Sequence, residues 1–275
     1  MPGIITALPQ TMAEQILQKL GFSAPPAPDE VGLSEIYRAW CQSVPFDNLR
    51  RRLMTDHDSA LPLPGSTATD FFTHWLTYGT GGTCWAGHGA LHALLIHVGF
   101  NVQFGLSTML SSRPAPAGSP GHGMLFVNMD AGTRVVDSTL LHGHPLPLEA
   151  RLNPHPVWGT RVYERDGSWY IHWRPLGRAG IDCKILTTDL PVDAFQSRHQ
   201  QSRHSSRFDG ALLIRRASAG SITGIVKGER VIRDPEGKET FTPLSRSEQQ
   251  RLLIEDYGIA EAIVTRLPAD DPGHG

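Results

Sequence analysis

The stretch GTGGTCWAGHGAL, residues 79–91, places Gly81, Gly82 and Thr83 directly before Cys84 and an apolar run directly after it. That run continues through Leu91, Leu94, Leu95 and Val98 at helical spacing and stops at Gly99, so Cys84 stands in the first turn of a helix. The glycines permit a tight approach of the chain, and Thr83 can cap the helix. A thiol so placed gains from the helix dipole, which favours its thiolate form. The same residue also reads as a small buried core cysteine, a common place for this residue type.

Working outward, the chain before Gly99 reads as helices divided by Pro-rich turns. Thr11 and Glu14 form a capping-box pattern ahead of Ile16, Leu17 and Leu20, with Gly21 as the stop. A second helix is expected from Ser34, carrying Ile36, Tyr37, Trp40 and Cys41 and ending before Pro45. A third holds Phe71, Phe72, Trp75 and Leu76 and closes at Tyr78-Gly79. After Gly99 the period changes from helical to alternating. Phe100, Val102, Phe104 and Leu106 predict a half-buried strand, and SSRPAPAGSPG (111–121) an exposed loop. MLFVNMD and RVVD predict strands joined at Ala131-Gly132, and TRVYERDGSWYIHW a hairpin around Asp166-Gly167. This part, to about residue 190, reads as a small sheet or barrel. Beyond it a polar stretch, FQSRHQQSRHSSRF, precedes strands in ALLIRRA, SITGIV and ERVIRD. Ser245 and Glu248 then cap a final helix, and LPADDPGHG is expected to fray.

Composition narrows the function classes. With 25 Lys and Arg against 27 Asp and Glu, and no basic run interleaved with aromatics, neither nucleic acid nor an anionic membrane is an expected partner. No basic leader with an apolar core and no run of about 18 apolar residues occurs, so a cytoplasmic protein is expected. Cys41, Cys84 and Cys183 lack CxxC spacing, which argues against a disulfide framework and a zinc site. His88 and His92 stand four apart on one helical face, yet the sequence places no third ligand beside them, and no metal is expected.

A nucleophilic cysteine needs a base, and the base needs an orienting group. His122 opens the strand in GHGMLFV and Asp137 ends the one in RVVD. Paired antiparallel strands can bring such ends to one sheet edge. The chain's 13 histidines leave other partners open.

The order and spacing of Cys84, His122 and Asp137 resemble the catalytic-triad layout of the arylamine N-acetyltransferase family. VPFDNL (44–49) is similar to that family's IPFENL segment, GGTCW to its Gly-Gly-x-Cys core, and HGMLFV and VVD followed by PLPL (145–148) to its His and Asp strands. VDAFQSRHQQSRHSSRF (192–208) resembles its DF-containing stretch, so the likeness runs from about residue 12 to about residue 260. The resemblance implies an α+β, cysteine-protease-like fold: a helical subdomain over 1–99 carrying the nucleophile, a β-barrel over 100–190 carrying His and Asp, and an α/β lid over 191–275. It also implies ping-pong acyl transfer, with Cys84 attacking a thioester, His122 moving protons and Asp137 fixing the imidazole tautomer. Backbone N–H groups at the helix start would hold the oxyanion. No tightly bound cofactor is implied; the co-substrate is an acyl-CoA or acyl-carrier-protein thioester, and the acceptor a small-molecule amine. Four residues are candidates for substrate contact. Phe46 could shape the acyl pocket or simply pack in the core, and His88, one turn after Cys84, could line the cleft. Arg203, with Arg198 and Arg207, could meet donor phosphates or lie in a solvated loop, and Phe208 closes that stretch.

The family's usual run is Arg-Gly-Gly-x-Cys-x-Glu-x-Asn. Here Thr80, Ala86 and His88 stand at its Arg, Glu and Asn positions. If the missing Arg and Glu support one another, their joint absence strands no charge. The departures point toward a diverged acyltransferase or amide synthase of natural-product assembly, taking a larger thioester donor. A triad hydrolase and a catalytically silent binding protein of the same fold remain alternatives. Cys-Trp also resembles papain-type proteases, but those place their His roughly 130–150 residues downstream, where 214–234 holds none.

Overall fold

A computed structural model describes residues 7–54, 61–110, 119, 121–203, 208 and 210–270. The loop expected over 111–121 lies outside the described residues except for Ser119 and Gly121. The chain opens with α1 (Gln10–Lys19), α2 (Glu30–Ser43), a short strand β1 (Phe46–Asp47), α3 (Leu49–Arg52), α4 (Ala68–Tyr78) and α5 (Cys84–Val98). Helices α4 and α5 stop where expected, at Gly79 and Gly99, whose φ angles of 75° and 108° are left-handed and suit glycine. Two helix starts differ from the sequence reading. Thr11 makes no cap because α1 already begins at Gln10 behind Pro9. Helix α2 begins four residues ahead of Ser34, where the Asp29 carboxylate accepts from Gly32 N–H at 2.8 Å, a stronger start signal than an internal serine.

Eight antiparallel strands follow: β2 (Asn101–Leu110), β3 (His122–Met129), β4 (Gly132–Val136), β5 (Leu146–Pro147), β6 (Arg151–Asn153), β7 (Thr160–Arg165), β8 (Ser168–Trp173) and β9 (Ile181–Thr187). Their order is β5-β4-β3-β2-β9-β8-β7-β6, so the two edge strands are neighbours in sequence. A flat row of eight strands would hold its edges about 34 Å apart, whereas the step from Pro147 to Arg151 reaches at most about 14 Å. The sheet therefore curls into a nearly closed barrel around Met124, Phe126, Val135, Ile171, Trp173 and Cys183. The hairpin at Asp166-Gly167 forms as read, both residues having positive φ.

The last third contains α6 (Val192–Gln201), β10 (Leu213–Ser218), β11 (Ser221–Val226), β12 (Glu229–Arg233), β13 (Glu239–Pro243), α7 (Arg246–Glu255) and α8 (Glu261–Val264). The Ser245–Glu248 capping box forms in both directions. Part of the polar stretch is helix α6, anchored by the buried Phe195 and His199. Strand β13 was not expected, since ETFTP is an exposed edge without apolar alternation. The tail is ordered through Asp270: Leu267 is buried, and the Asp270 carboxylate takes the Arg52 guanidinium at 2.6 Å and Leu212 N–H at 2.9 Å. Residues 271–275 of the expected frayed tail lie outside the described residues. Strand β1 pairs with β10, Phe46 facing Arg215 and Asp47 facing Ile214, so the first and last thirds of the chain share one sheet.

Candidate active site

Cys84 is the first residue of α5 and is 6% exposed. Thr83 occupies the N-cap position, but its side chain makes no cap hydrogen bond, and no acidic residue lies in the first turn. The turn before it is set by close backbone approach. A Cβ on Gly81 would stand 1.8 Å from Pro45 O, and one on Gly82 would stand 3.0 Å from Ala86 Cβ and 3.1 Å from Phe71. Asp47 braces that turn: Oδ2 accepts from Gly81 N–H at 2.6 Å, Oδ1 from Leu49 N–H at 3.0 Å, and its own N–H donates to Gly82 O at 3.2 Å. Burial pushes the Asp47 carboxyl up to about 7 against the pull of these hydrogen bonds. Asn48 ties the same segment to the last third, donating to Phe208 O and Ala211 O and accepting from Leu213 N–H.

The pairing of β3 with β4 brings His122, at the start of one, beside Asp137, just past the end of the other. His122 Nε2 lies 2.6 Å from Asp137 Oδ2, and both residues are buried. Asp137 Oδ1 accepts from the N–H groups of Thr139 at 2.7 Å and Leu140 at 3.0 Å, while Tyr37 donates its hydroxyl to Asp137 O at 2.7 Å. Burial alone would raise the Asp137 pKa, but the charges of His122 and His88 with these hydrogen bonds bring it down to about 2. For His122, burial favours the neutral ring. The Asp137 charge and hydrogen bond, with a smaller contribution from the nearby Cys84 thiol, outweigh it and raise the pKa well above its ordinary value. With Nε2 held by the carboxylate, Nδ1 is left for the thiol.

His88 does not line a cleft. It is 0% exposed, and its Nδ1 lies 2.7 Å from Cys84 O while Nε2 accepts from Ser138 N–H at 3.0 Å. A backbone N–H can only donate, so the ring proton sits on Nδ1 and donates to the Cys84 carbonyl. Burial, the largest effect, pushes its pKa down to about 4 despite the nearby Asp137. The ligand atoms of His88, His122 and Asp137 lie within 4.8 Å of one another, a metal-like cluster. Every one of these three side chains is already committed to a hydrogen bond, so the cluster is a braced network rather than a set of free donor atoms.

Phe46 is buried, meets Phe208 edge to face at 5.4 Å between centroids, and carries the Arg215 guanidinium at 4.5 Å above its ring. Phe46 also bridges to Gly82, two residues before the cysteine. Arg203 is not part of this group; it donates to Leu61 O. Arg207 lies outside the described residues. Trp85 packs edge to face on Phe195 and would touch a Cβ on Gly123 at 3.0 Å, which seats the first helical turn against β3. The position where the family carries Glu is closed. A Cβ on Gly65 would stand 2.5 Å from Ala86 Cβ, so the Gly65 turn fills the room a longer side chain would need. Thr80 is buried and its hydroxyl has no partner among the described residues. Sequence reasoning passed over Tyr37, Asp47, Asn48 and Arg215. For Asp47 and Asn48 a signal was present, since an acid and an amide interrupt an apolar motif; for the others none was.

The N-acetyltransferase family's sequence model matches residues 31–260. Among solved structures, the arylamine N-acetyltransferase of M. tuberculosis is similar with a TM-score of 0.77 at 16% identity, covering 94% of this chain and 98% of that one. The Salmonella typhimurium enzyme gives a TM-score of 0.73 at 20% identity, over 94% and 98% of the two chains. The Mycobacterium marinum enzyme in complex with CoA gives 0.76 at 17% identity, over 93% and 96%. No curated protein matches the chain by sequence. At these identities the structures establish a shared fold, and the family model, spanning most of the sequence, establishes descent: the chain belongs to the N-acetyltransferase family.

Proposed function

We propose that the protein is an N-acyltransferase that moves an acyl group from a thioester, through an acyl-Cys84 intermediate, to an amine. The observation that carries this is the buried 2.6 Å His122–Asp137 pair, tied through the His88 bracket between Ser138 N–H and the Cys84 carbonyl to a cysteine at a helix start. The Cys84 thiolate attacks the thioester carbonyl and a carbon–sulfur bond forms; the donor's carbon–sulfur bond breaks, and the departing thiolate takes the proton from His122. The amine then attacks the acyl-cysteine, His122 accepts the amine proton, and Cys84 leaves as thiolate. Asp137 holds the ring so that Nδ1 faces the reacting sulfur. Acyl-CoA is the donor best supported, since a relative of the same fold is described with CoA bound. In this reading residues 1–99 supply the nucleophile, 100–190 the imidazole and carboxylate, and 191–275 cover the site, with Phe46 and Phe208 forming one wall.

Intact-mass spectrometry after incubation with a panel of acyl-CoAs tests it. One acyl adduct on the wild type and none on Cys84→Ala is the expected result. Absence of adduct with every CoA and carrier-protein thioester overturns it, and release of free acid with no amine present identifies a hydrolase instead.

A further inference from the structure

Arg215 is a buried cation without an ion-pair partner among the described residues. It is 9% exposed, and among the described residues its guanidinium makes no ion pair and no hydrogen bond; its Nε is buried without a partner. Alternation along β10 fixes where it faces. Ile214 packs in the cluster beneath α7, whereas Leu213 and Ala217, on the other face with Arg215, pack in the cluster that holds Cys84, Trp85 and Phe46. Arg215 lies over the Phe46 ring at 4.5 Å, and Phe46 bridges to Gly82 of the cysteine turn. The strand residue facing Arg215 across β11 is Gly224, where a Cβ would stand 3.1 Å from Arg215 Cβ and 2.9 Å from Leu176, so the glycine keeps room open beside it. Cys84 and Asp137 lie near enough to act on its charge.

A cation–π contact offsets part of the cost of burying a guanidinium, but its Nε–H is buried unanswered, and among the described residues no protein acceptor meets its terminal N–H groups. Burying a charge without an acceptor is costly, and a planar carboxylate answers the guanidinium fork in two bonds at once. We propose that Arg215 is the specificity-determining residue of the Cys84 site and that it binds a carboxylate carried by the substrate, either on the acyl group or on the amine acceptor. This rests on acyl transfer at Cys84.

The test compares carboxylate and neutral partners of similar shape on wild type, Arg215→Gln and Arg215→Lys. The donor arm measures the rate of Cys84 adduct formation from succinyl-CoA against butyryl-CoA. The acceptor arm measures transfer from acetyl-enzyme to 4-aminobenzoate against 4-aminobenzamide. In the wild type one arm favours the carboxylate by about tenfold or more, the scale of a desolvated charge-assisted bond, and identifies its source. That ratio falls toward one in Arg215→Gln. Ratios near one in both wild-type arms, or a ratio unchanged in Arg215→Gln, overturn the proposal. Should Arg215→Gln fail to fold, Arg215→Lys decides: it keeps the charge and loses the fork, so a several-fold drop supports the assignment and no change overturns it. Should no thioester acylate Cys84, acyl transfer fails by itself, and calorimetry with benzoate against benzamide still judges Arg215. Tighter benzoate binding that disappears in the variant supports it, and equal binding overturns it.

Discussion

At the scale of single residues, Cys84, His122 and Asp137 were legible because each stands where a periodic pattern begins or ends, and such positions can be counted along a chain. His88 was visible but misplaced. Its i+4 spacing from Cys84 fits a cleft-lining side chain and a buried bracket equally, and only the third partner, Ser138 N–H, separates the two. His88→Leu would fill the same space and leave that N–H buried without an acceptor. The expected cost is about 1–3 kcal/mol, read as a lowered urea midpoint. Because the bracket joins the Cys84 carbonyl to the residue after Asp137, kcat should fall more than KM rises. A loss of stability with unaltered kcat would remove His88 from the positioning of the site.

At the scale of elements, helix α5 and the hairpins were readable from local signals, namely glycine stops and turn dipeptides. Strands β1 and β13 were not, because a two-residue strand and an exposed edge carry no hydrophobic alternation; their pairing partners alone define them. The turn before α5 depends on Gly81 lying against Pro45. Gly81→Ala puts a methyl where the Pro45 carbonyl sits and forces the two segments apart. Destabilisation of about 1–3 kcal/mol or more is expected, with a loss of Cys84 acylation larger than stability alone explains. Ser245→Ala removes the reciprocal cap of α7 and should cost about 1 kcal/mol by denaturation, with acylation of Cys84 unchanged.

At the scale of the whole molecule, strand periodicity already suggested a small sheet or barrel up to about residue 190, and the likeness to a known family narrowed it to a barrel and added an α/β lid after it. Acid stability is a property of the molecule as a whole. His88, His92 and His142 are held neutral by burial with pKa values near 4, and His199 near 3. Unfolding frees each to take a proton below about 6.5. Asp47 runs the other way, being protonated in the fold up to about 7. The unfolded chain therefore binds more protons than the native one, a net uptake of roughly three between pH 4 and 6.5, so stability rises with pH across that window and is lost as pH falls through it. His122 is protonated in both states there, and its contribution is lost only at higher pH, as the medium passes through its raised native value. Chemical denaturation from pH 7 to 4 should show a steep fall in midpoint; a flat profile would mean these rings reach water in the native state.

The ladder between β1 and β10 bears on how the protein comes into being. Phe46 and Asp47, which hold the turn ahead of Cys84, take their partners from Arg215 and Ile214, and Asn48 takes its own from Phe208, Ala211 and Leu213. A growing chain on the ribosome has already made the cysteine, the histidine and the aspartate long before it makes those partners. The thiol is thus made well before the residues that hold the turn ahead of it, and that turn is completed only when the last third arrives to close the sheet.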